Sequence, residues 1–190
     1  VAAALNLLSL RGQDGLTLRE ITEQAGANVA AVSYHFGSLQ ALCDVAIEHA
    51  LESYLDAQIQ ATTALKNTAT VEELAAAFAR PMMSALAAGG QELAIMRTVA
   101  RAGIDPPQGW DRLAGKFNDS RRDTVRVLSS NLPGVDEQEL TFRIRCAAGM
   151  LNWLALAPLG AELAGQPAAN ILQLLVPVLA GALYGRPGAS

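Results

Sequence analysis

Cysteine, histidine and aromatic residues are all scarce in this chain. Cys43 and Cys146, His35 and His49 are its whole supply of thiols and imidazoles. The cysteines lie too far apart for metal-ligand spacing, and neither histidine belongs to the Glu-x-x-His repeat that a carboxylate-bridged metal pair in a helical bundle requires. Neither a Ser–His–Asp arrangement nor a glycine-rich phosphate loop occurs. The expectation is therefore a protein that is not an enzyme, with no catalytic residue, no metal and no cofactor. Both thiols are expected reduced and buried in a cytoplasmic protein. Long hydrophobic runs are missing as well. The nearest, Ile171–Leu183, is interrupted by Gln173, Pro177 and Gly181 and falls short of the roughly 18 uninterrupted apolar residues of a membrane span, so no membrane partner is expected. Val1–Leu10 has neither a basic flank nor a cleavage-like site, which argues against a secretory leader. The first residue is not Met, so the sequence reads as trimmed or partial.

Positive charge is short where a nucleic-acid binder would need it. The net charge is −4. Residues 1–60 hold only Arg11 and Arg19 against Asp14, Glu20, Glu23, Asp44, Glu48, Glu52 and Asp56. Charge alone argues against DNA binding at this end of the chain, and a more specific signal has to outweigh it.

What the sequence has is helix-forming residues. It is 51% hydrophobic, dominated by Ala, Leu and Gly, with few segments rich in β-branched or aromatic residues, which favours helix over strand. Val1–Leu10 reads as a first helix, stopped near Gly12 and Gly15. Thr17-Leu18-Arg19-Glu20 is a capping box. The short helix it opens is closed by Gly26. Asn28 caps a second short helix, Val29–Phe36, and Ser38 caps a long one from Leu39 to about Leu65. Further helices are predicted over Val71–Leu86, where Pro81 should kink the helix or start a new segment, and over Gln91–Ala102, Trp110–Leu132, Asp136 to about Leu156, and Pro167–Tyr184. Pro158–Gln166 reads as a loop. The expected fold class is all-α, with about nine helices.

Two short helices joined by a glycine-containing turn describe a helix-turn-helix, although many all-α proteins contain such a corner. The residues narrow the choice. Leu16-Thr17-Leu18-Arg19-Glu20-Ile21, Ala25-Gly26-Ala27-Asn28, Val32-Ser33-Tyr34-His35-Phe36-Gly37-Ser38 and Ala41-Leu42, with Ala3-Ala4-Leu5, Leu7-Leu8 and Arg11-Gly12 upstream, resemble the TetR/AcrR family of repressors. The resemblance covers residues 1 to about 50 and is most specific at Tyr34-His35-Phe36. It implies a ligand-responsive regulator released from a palindromic double-stranded DNA operator, with a three-helix head and a C-terminal effector-binding and dimerisation bundle. On that division residues 1–55 are the DNA-binding domain and residues 56–190 the rest. An activator, or a binding or scaffold protein of the same fold with weakened DNA binding, remains an alternative.

The candidate DNA-binding residues are Thr17, Arg19, Asn28, Val29, Ala30, Ala31, Ser33, Tyr34, His35 and Gln40. Val29, Ala30 and Ala31 are small enough for close approach to a major groove and thymine methyls, or else they are ordinary core. Ser33, Tyr34 and His35 can reach phosphates or a base edge, and the resemblance places Tyr34 and His35 at backbone contacts. His35 reads alternatively as a buried, satisfied histidine. The resemblance has Thr17 facing a phosphate. Arg19 is the best candidate for base discrimination, since an Arg–guanine pair is the commonest specific contact. Relatives usually carry Lys one position after Ser38. This chain has Leu39, with Gln40 as a weak substitute. Relatives also usually carry a basic arm before the first helix, which the resemblance puts outside this sequence.

In the second half, Phe78, Met82, Met83, Met96, Trp110, Phe117, Met150 and Trp153 are candidate ligand-lining residues, with Arg121 among the polar groups that would orient a hydrophobic or amphipathic effector. Arg97, Arg101, Asn118, Arg143 and Asn152 are further polar candidates. An ordinary bundle core is the competing reading for the apolar set, and a solvated helix face for Arg121-Arg122 and Arg126. Leu140, Ile144, Leu151, Leu154, Leu172, Leu175 and Leu179 form an apolar stripe wider than one small core needs, and are the expected homodimer face.

Overall fold

Each helix of the head begins or ends at a device already written in the sequence. In the computed structural model α1 runs Ala2–Arg11, α2 Leu18–Ala25, α3 Val29–Phe36 and α4 Leu39–Thr63. Thr17 Oγ1 accepts from Glu20 N at 3.2 Å, Asn28 Oδ1 from Ala30 N at 2.8 Å and Ser38 Oγ from Ala41 N at 3.1 Å. Each bond satisfies one of the N–H groups that a helix start leaves without an intrahelical partner. Gly26 closes α2 in the left-handed region at φ 60° and ψ 31°, which costs glycine little.

The described residues are 1–65, 69–107, 110, 111, 115, 122, 125–130, 132, 134–157 and 166–185. The chain is all-α, and no strand occurs among those residues. After α4 come α5, Val71–Ala88, and α6, Gly90–Ile104. Residues 110, 111, 115, 122 and 125–130 are helical, within the predicted Trp110–Leu132. Next are α7, Glu137–Leu156, and α8, Ala168–Tyr184. The predicted loop at 158–166 lies almost wholly outside the described residues. No described helix is long and apolar enough to cross a membrane.

Of the two outcomes expected at Pro81 of α5, a new segment is not what forms. The helix passes through it, with Phe78, Ala79, Met82, Met83 and Leu86 all buried. Burial of those side chains outweighs the roughly 3 kcal/mol that an interior proline costs a helix. Pro177 sits inside α8 in the same way.

Two hydrophobic clusters result. One gathers Ala4, Leu5, Leu8, Leu16, Ile21, Leu42, Cys43, Ala46, Ile47, Ala50 and Leu51 with Val99 of α6. The other gathers the inner faces of α5, α7 and α8 with Met96 and Ala100 of α6 and Val125, Leu128 and Leu132. Helix α6 therefore buries one face in each, and Tyr54 of α4 packs against both. Cys43 is buried and its thiol is pushed up to about 11, by loss of hydration and then by Asp44. Cys146 is exposed, which corrects the expectation of two buried thiols.

The apolar stripe expected to pair two copies is largely core. Leu140, Ile144, Leu151, Leu175 and Leu179 are buried within the one chain, and Leu154 and Leu172 are half-buried against them. Helices α5 and α8 pack closely, so α5 takes up a surface that the sequence read as surplus. The exposed apolar side chains of α7 and α8 are instead Phe142, Trp153, Leu174, Val178 and Tyr184. Leu140→Ala should therefore lower the unfolding free energy by about 2–5 kcal/mol, as a core leucine does. A urea titration followed by far-UV circular dichroism checks it.

Candidate nucleic-acid interface and effector cavity

Helix α3 has no buried residue. Val32 and Phe36 turn inward, half-buried against the head cluster, while Val29, Ala30, Ala31, Ser33, Tyr34 and His35 are exposed. Tyr34 is 87% exposed, and its ring meets that of His35 edge-on at 5.4 Å. The reading of His35 as a buried histidine, and of Val29 to Ala31 as core, is thus set aside. One wall of α3 is anchored and the rest is open, the form a helix needs to enter a groove.

The polar groups around α3 are less free than their exposure suggests. The Arg19 Nε–H donates to Glu23 Oε1 at 2.7 Å. Both side chains are well exposed, and exposed pairs of this kind contribute only about 0–1 kcal/mol, so Arg19 can exchange Glu23 for a base edge at little cost. Thr17 is more constrained. Its hydroxyl donates its single proton to Glu20 Oε2 at 2.8 Å, and its backbone N–H donates to the same oxygen at 2.9 Å. A hydroxyl has one proton to give, so Thr17 donates to a phosphate only by releasing Glu20. Asn28 uses Oδ1 for its cap and keeps its amide donors. Gln40 stands in a chain: Gln13 Nε2 donates to Gln40 Oε1 at 2.6 Å, and Gln40 Nε2 donates to Asp44 Oδ1 at 2.8 Å.

Glu20 is the electrostatic centre of this corner. Arg11 donates to its Oε1 at 2.6 Å, and Thr17 supplies two further hydrogen bonds. These hold its carboxyl down from the ordinary 4.5 to about 2, with Arg11 the largest cause. Arg11 is therefore engaged in joining α1 to α2.

Three arginines considered as ligand-orienting groups do something else. Arg97 Nε donates to the Ala155 carbonyl at 3.0 Å, at the end of α7. Arg101 Nη2 donates to the Leu10 carbonyl at 3.1 Å and weakly to that of Ser9, at the end of α1. Arg143 Nη1 donates to the carbonyls of Leu183 and Tyr184, at the end of α8. Each supplies donors and positive charge where a helix leaves carbonyls unpaired and its dipole negative. Arg101 lies against Gly12, where an added Cβ would stand 3.1 Å from its Cδ. Gly103 lets α6 approach α7 closely, since a Cβ there would meet Asn152 Nδ2 at 2.8 Å.

The candidate ligand residues do not gather around one space. Phe78, Met82 and Met83 are packed core. Trp110 is half-buried against the head cluster, Met150 is half-buried against the bundle cluster, and Trp153 is 53% exposed. Phe117, Asn118 and Arg121 lie outside the described residues. Met96 does line a cavity. It is about 670 Å³, lies between α4, α5 and α6, and is walled by Tyr54, Ala57, Ala61, Pro81, Ala85 and Ile95, with His49, Ser53, Gln60, Arg80, Ser84 and Glu92 as its polar lining. A second cavity of about 650 Å³ opens where the α1–α2 turn, the start of α4 and the end of α6 meet, beside Arg101. The α4 lining was missed because methionines and aromatics report volume, not vacancy. A usable signal was the run of polar and small residues along α4 that supplies this lining, His49, Ser53, Tyr54, Ala57, Gln60 and Ala61. Among the described residues, no three His, Cys, Asp or Glu side chains are grouped to hold a metal ion.

The family model described as "Bacterial regulatory proteins, tetR family" matches residues 1–45. The model described as "Tetracyclin repressor-like, C-terminal domain" matches residues 76–182. No curated protein matches the chain.

The depressed carboxyl of Glu20 makes a pH prediction. Its folded value lies below the unfolded one, so its contribution is complete above about 4.5 and fades as pH falls toward about 2. Between those limits the melting temperature of the native chain should fall more steeply with acidification than that of Glu20→Gln. Thermal melts from pH 5 to pH 2 compare the two slopes, and equal slopes would contradict the assignment.

Proposed function

The chain belongs to the TetR family of bacterial regulatory proteins and is a DNA-binding transcriptional regulator, and we propose that it is a homodimeric repressor that leaves a palindromic operator when a small hydrophobic or amphipathic effector binds. One observation carries the reading: α3 stands open along its whole outer surface while Val32 and Phe36 fix its angle to the head. On this reading residues 1–55 read DNA, and residues 56–190 hold the effector and the dimer contact. Val29, Ala30 and Ala31 let the α3 backbone close on the groove floor. Ser33, Tyr34, His35, Asn28 and Gln40 meet phosphates or base edges, and the Thr17 hydroxyl joins them if Glu20 lets go. Arg19 reads a guanine once it leaves Glu23.

The second copy docks on α7 and α8. Phe142, Cys146, Gly149 and Trp153 recur at spacings of four, three and four along α7, and Leu174, Val178 and Gly181 do so along α8; all are exposed. The glycines permit close approach of two backbones, and a twofold axis there sets two reading helices on successive major grooves. The effector acts by favouring one spacing of the heads over the other, because only differential affinity moves such an equilibrium.

Arg19→Ala should weaken operator binding by about 1–3 kcal/mol, roughly five- to 150-fold, and relax preference at one base pair in each half-site. Tyr34→Ala should weaken binding to all sequences alike. Fluorescence anisotropy with duplexes from upstream of the chain's own gene, repeated across salt concentrations, separates the two patterns. Leu174→Arg should convert the dimer to monomer in sedimentation velocity and lower DNA affinity with it. A dimer that persists in that variant would move the interface elsewhere.

A further inference from the structure

One polar side chain buried on the inner face of α4 has no hydrogen-bond partner. Gln58 is 3% exposed, and neither its amide nitrogen nor its amide oxygen has a hydrogen-bond partner. One turn earlier, Tyr54 is half-buried and lines a cavity. Loss of hydration pushes its hydroxyl up to about 12. Residues four apart on a helix are neighbours, so the two stand side by side. Buried polar groups in native proteins are almost always paired. Thr62, one turn further on, follows that rule, since its buried hydroxyl donates to the Gln58 carbonyl at 2.9 Å.

The position of the pair relates it to a cavity and to the head. Tyr54 lines the 670 Å³ space between α4, α5 and α6, as do Ala57 and Ala61, which flank Gln58 along α4. Tyr54 also packs against both hydrophobic clusters. Pro81, Ala85, Ile95 and Met96 supply the apolar wall opposite, and Arg80 and Glu92 of the polar lining are exposed.

Building on the regulatory role proposed above, we propose that Tyr54 and Gln58 form the polar end of the effector site, and that the effector is an apolar molecule ending in an uncharged carboxamide. A primary amide both donates and accepts, so it can form two parallel hydrogen bonds with the Gln58 amide and a third with the Tyr54 hydroxyl. A charged head is disfavoured, because Gln58 is 3% exposed and its neutral amide would not offset the lost hydration of an ion. Tyr54, Ala57 and Ala61 wall the cavity, and Gln58 is absent from its lining. Bonding to Gln58 therefore requires α4 to roll or Tyr54 to swing. The ligand gains these bonds only in the moved state, which provides the differential affinity that releases the head from DNA.

The test uses decanamide, decanoate and decyltrimethylammonium, three probes with matched chains and different heads. Decanamide should raise the Tm of the native chain and lower its affinity for the operator duplex at least tenfold, with little effect from the other two. Gln58→Met removes the orphan amide with little change of volume, so it should melt higher than the native chain, bind the duplex normally and lose the decanamide response. Tyr54→Phe should fold normally and reduce that response about tenfold. The proposal is overturned if Gln58→Met melts lower, if it keeps the full decanamide shift, or if decanamide shifts the native chain no more than the charged probes. Should the native chain fail to bind DNA, the regulatory reading falls separately, while the melting data still judge the site.

Discussion

The grip of α6 on α1 is the contact on which the rest of the arrangement depends. A head of three short helices cannot bury enough apolar surface on its own, and α6 supplies what is missing. Val99 enters the head cluster, Arg101 closes the end of α1 against Gly12, and the Thr98 hydroxyl, held by the Ala94 carbonyl at 2.8 Å, reaches toward Leu5. The same helix commits Met96 and Ala100 to the bundle cluster and Arg97 to the end of α7. Any movement of α6 is therefore felt in both clusters at once.

Helix α4 is the second link between them. Its first half is built of head-cluster residues, from Leu42 to Leu51, and its second half carries Tyr54, Gln58 and Thr62 into the region where α5 and α6 meet it. Its first residue follows the end of α3 after only Gly37 and Ser38. A roll of α4 thus reaches α3 through two residues, one of them glycine at φ 78°. The two cavities flank this pair of struts, one beside Tyr54 and one beside Arg101.

Arginine serves order more than recognition in the described part of the chain. Arg11 joins α1 to α2 through Glu20, and Arg97, Arg101 and Arg143 each close a helix end. Arg19 differs, since its only partner is the exposed Glu23 one turn away. Glu20 and Glu23 each face an arginine, so the negative excess of the first 60 residues rests on Asp14, Asp44, Glu48, Glu52 and Asp56.

The sequence by itself determined the local events. The box at Thr17, the caps at Asn28 and Ser38, and the left-handed stop at Gly26 depend on atoms within a few residues of one another, so their geometry follows from residue type and spacing. The two short helices and the turn between them were legible for that reason, whereas the openness of α3 was undecided until its neighbours were placed. Only the tertiary structure decided which apolar stripe meets which. Leu179 is core because α5 packs on α8, Leu140 because it enters the bundle cluster, Phe142 and Leu174 are surface because nothing described covers them, and Met82 and Met83 are packed where a pocket was expected. A side chain's volume is a property of the residue, but burial and vacancy belong to whatever lies opposite it, and that partner is set by contacts from distant parts of the chain. The arginines show the same division, since the carbonyls they reach lie 40 to 92 residues away.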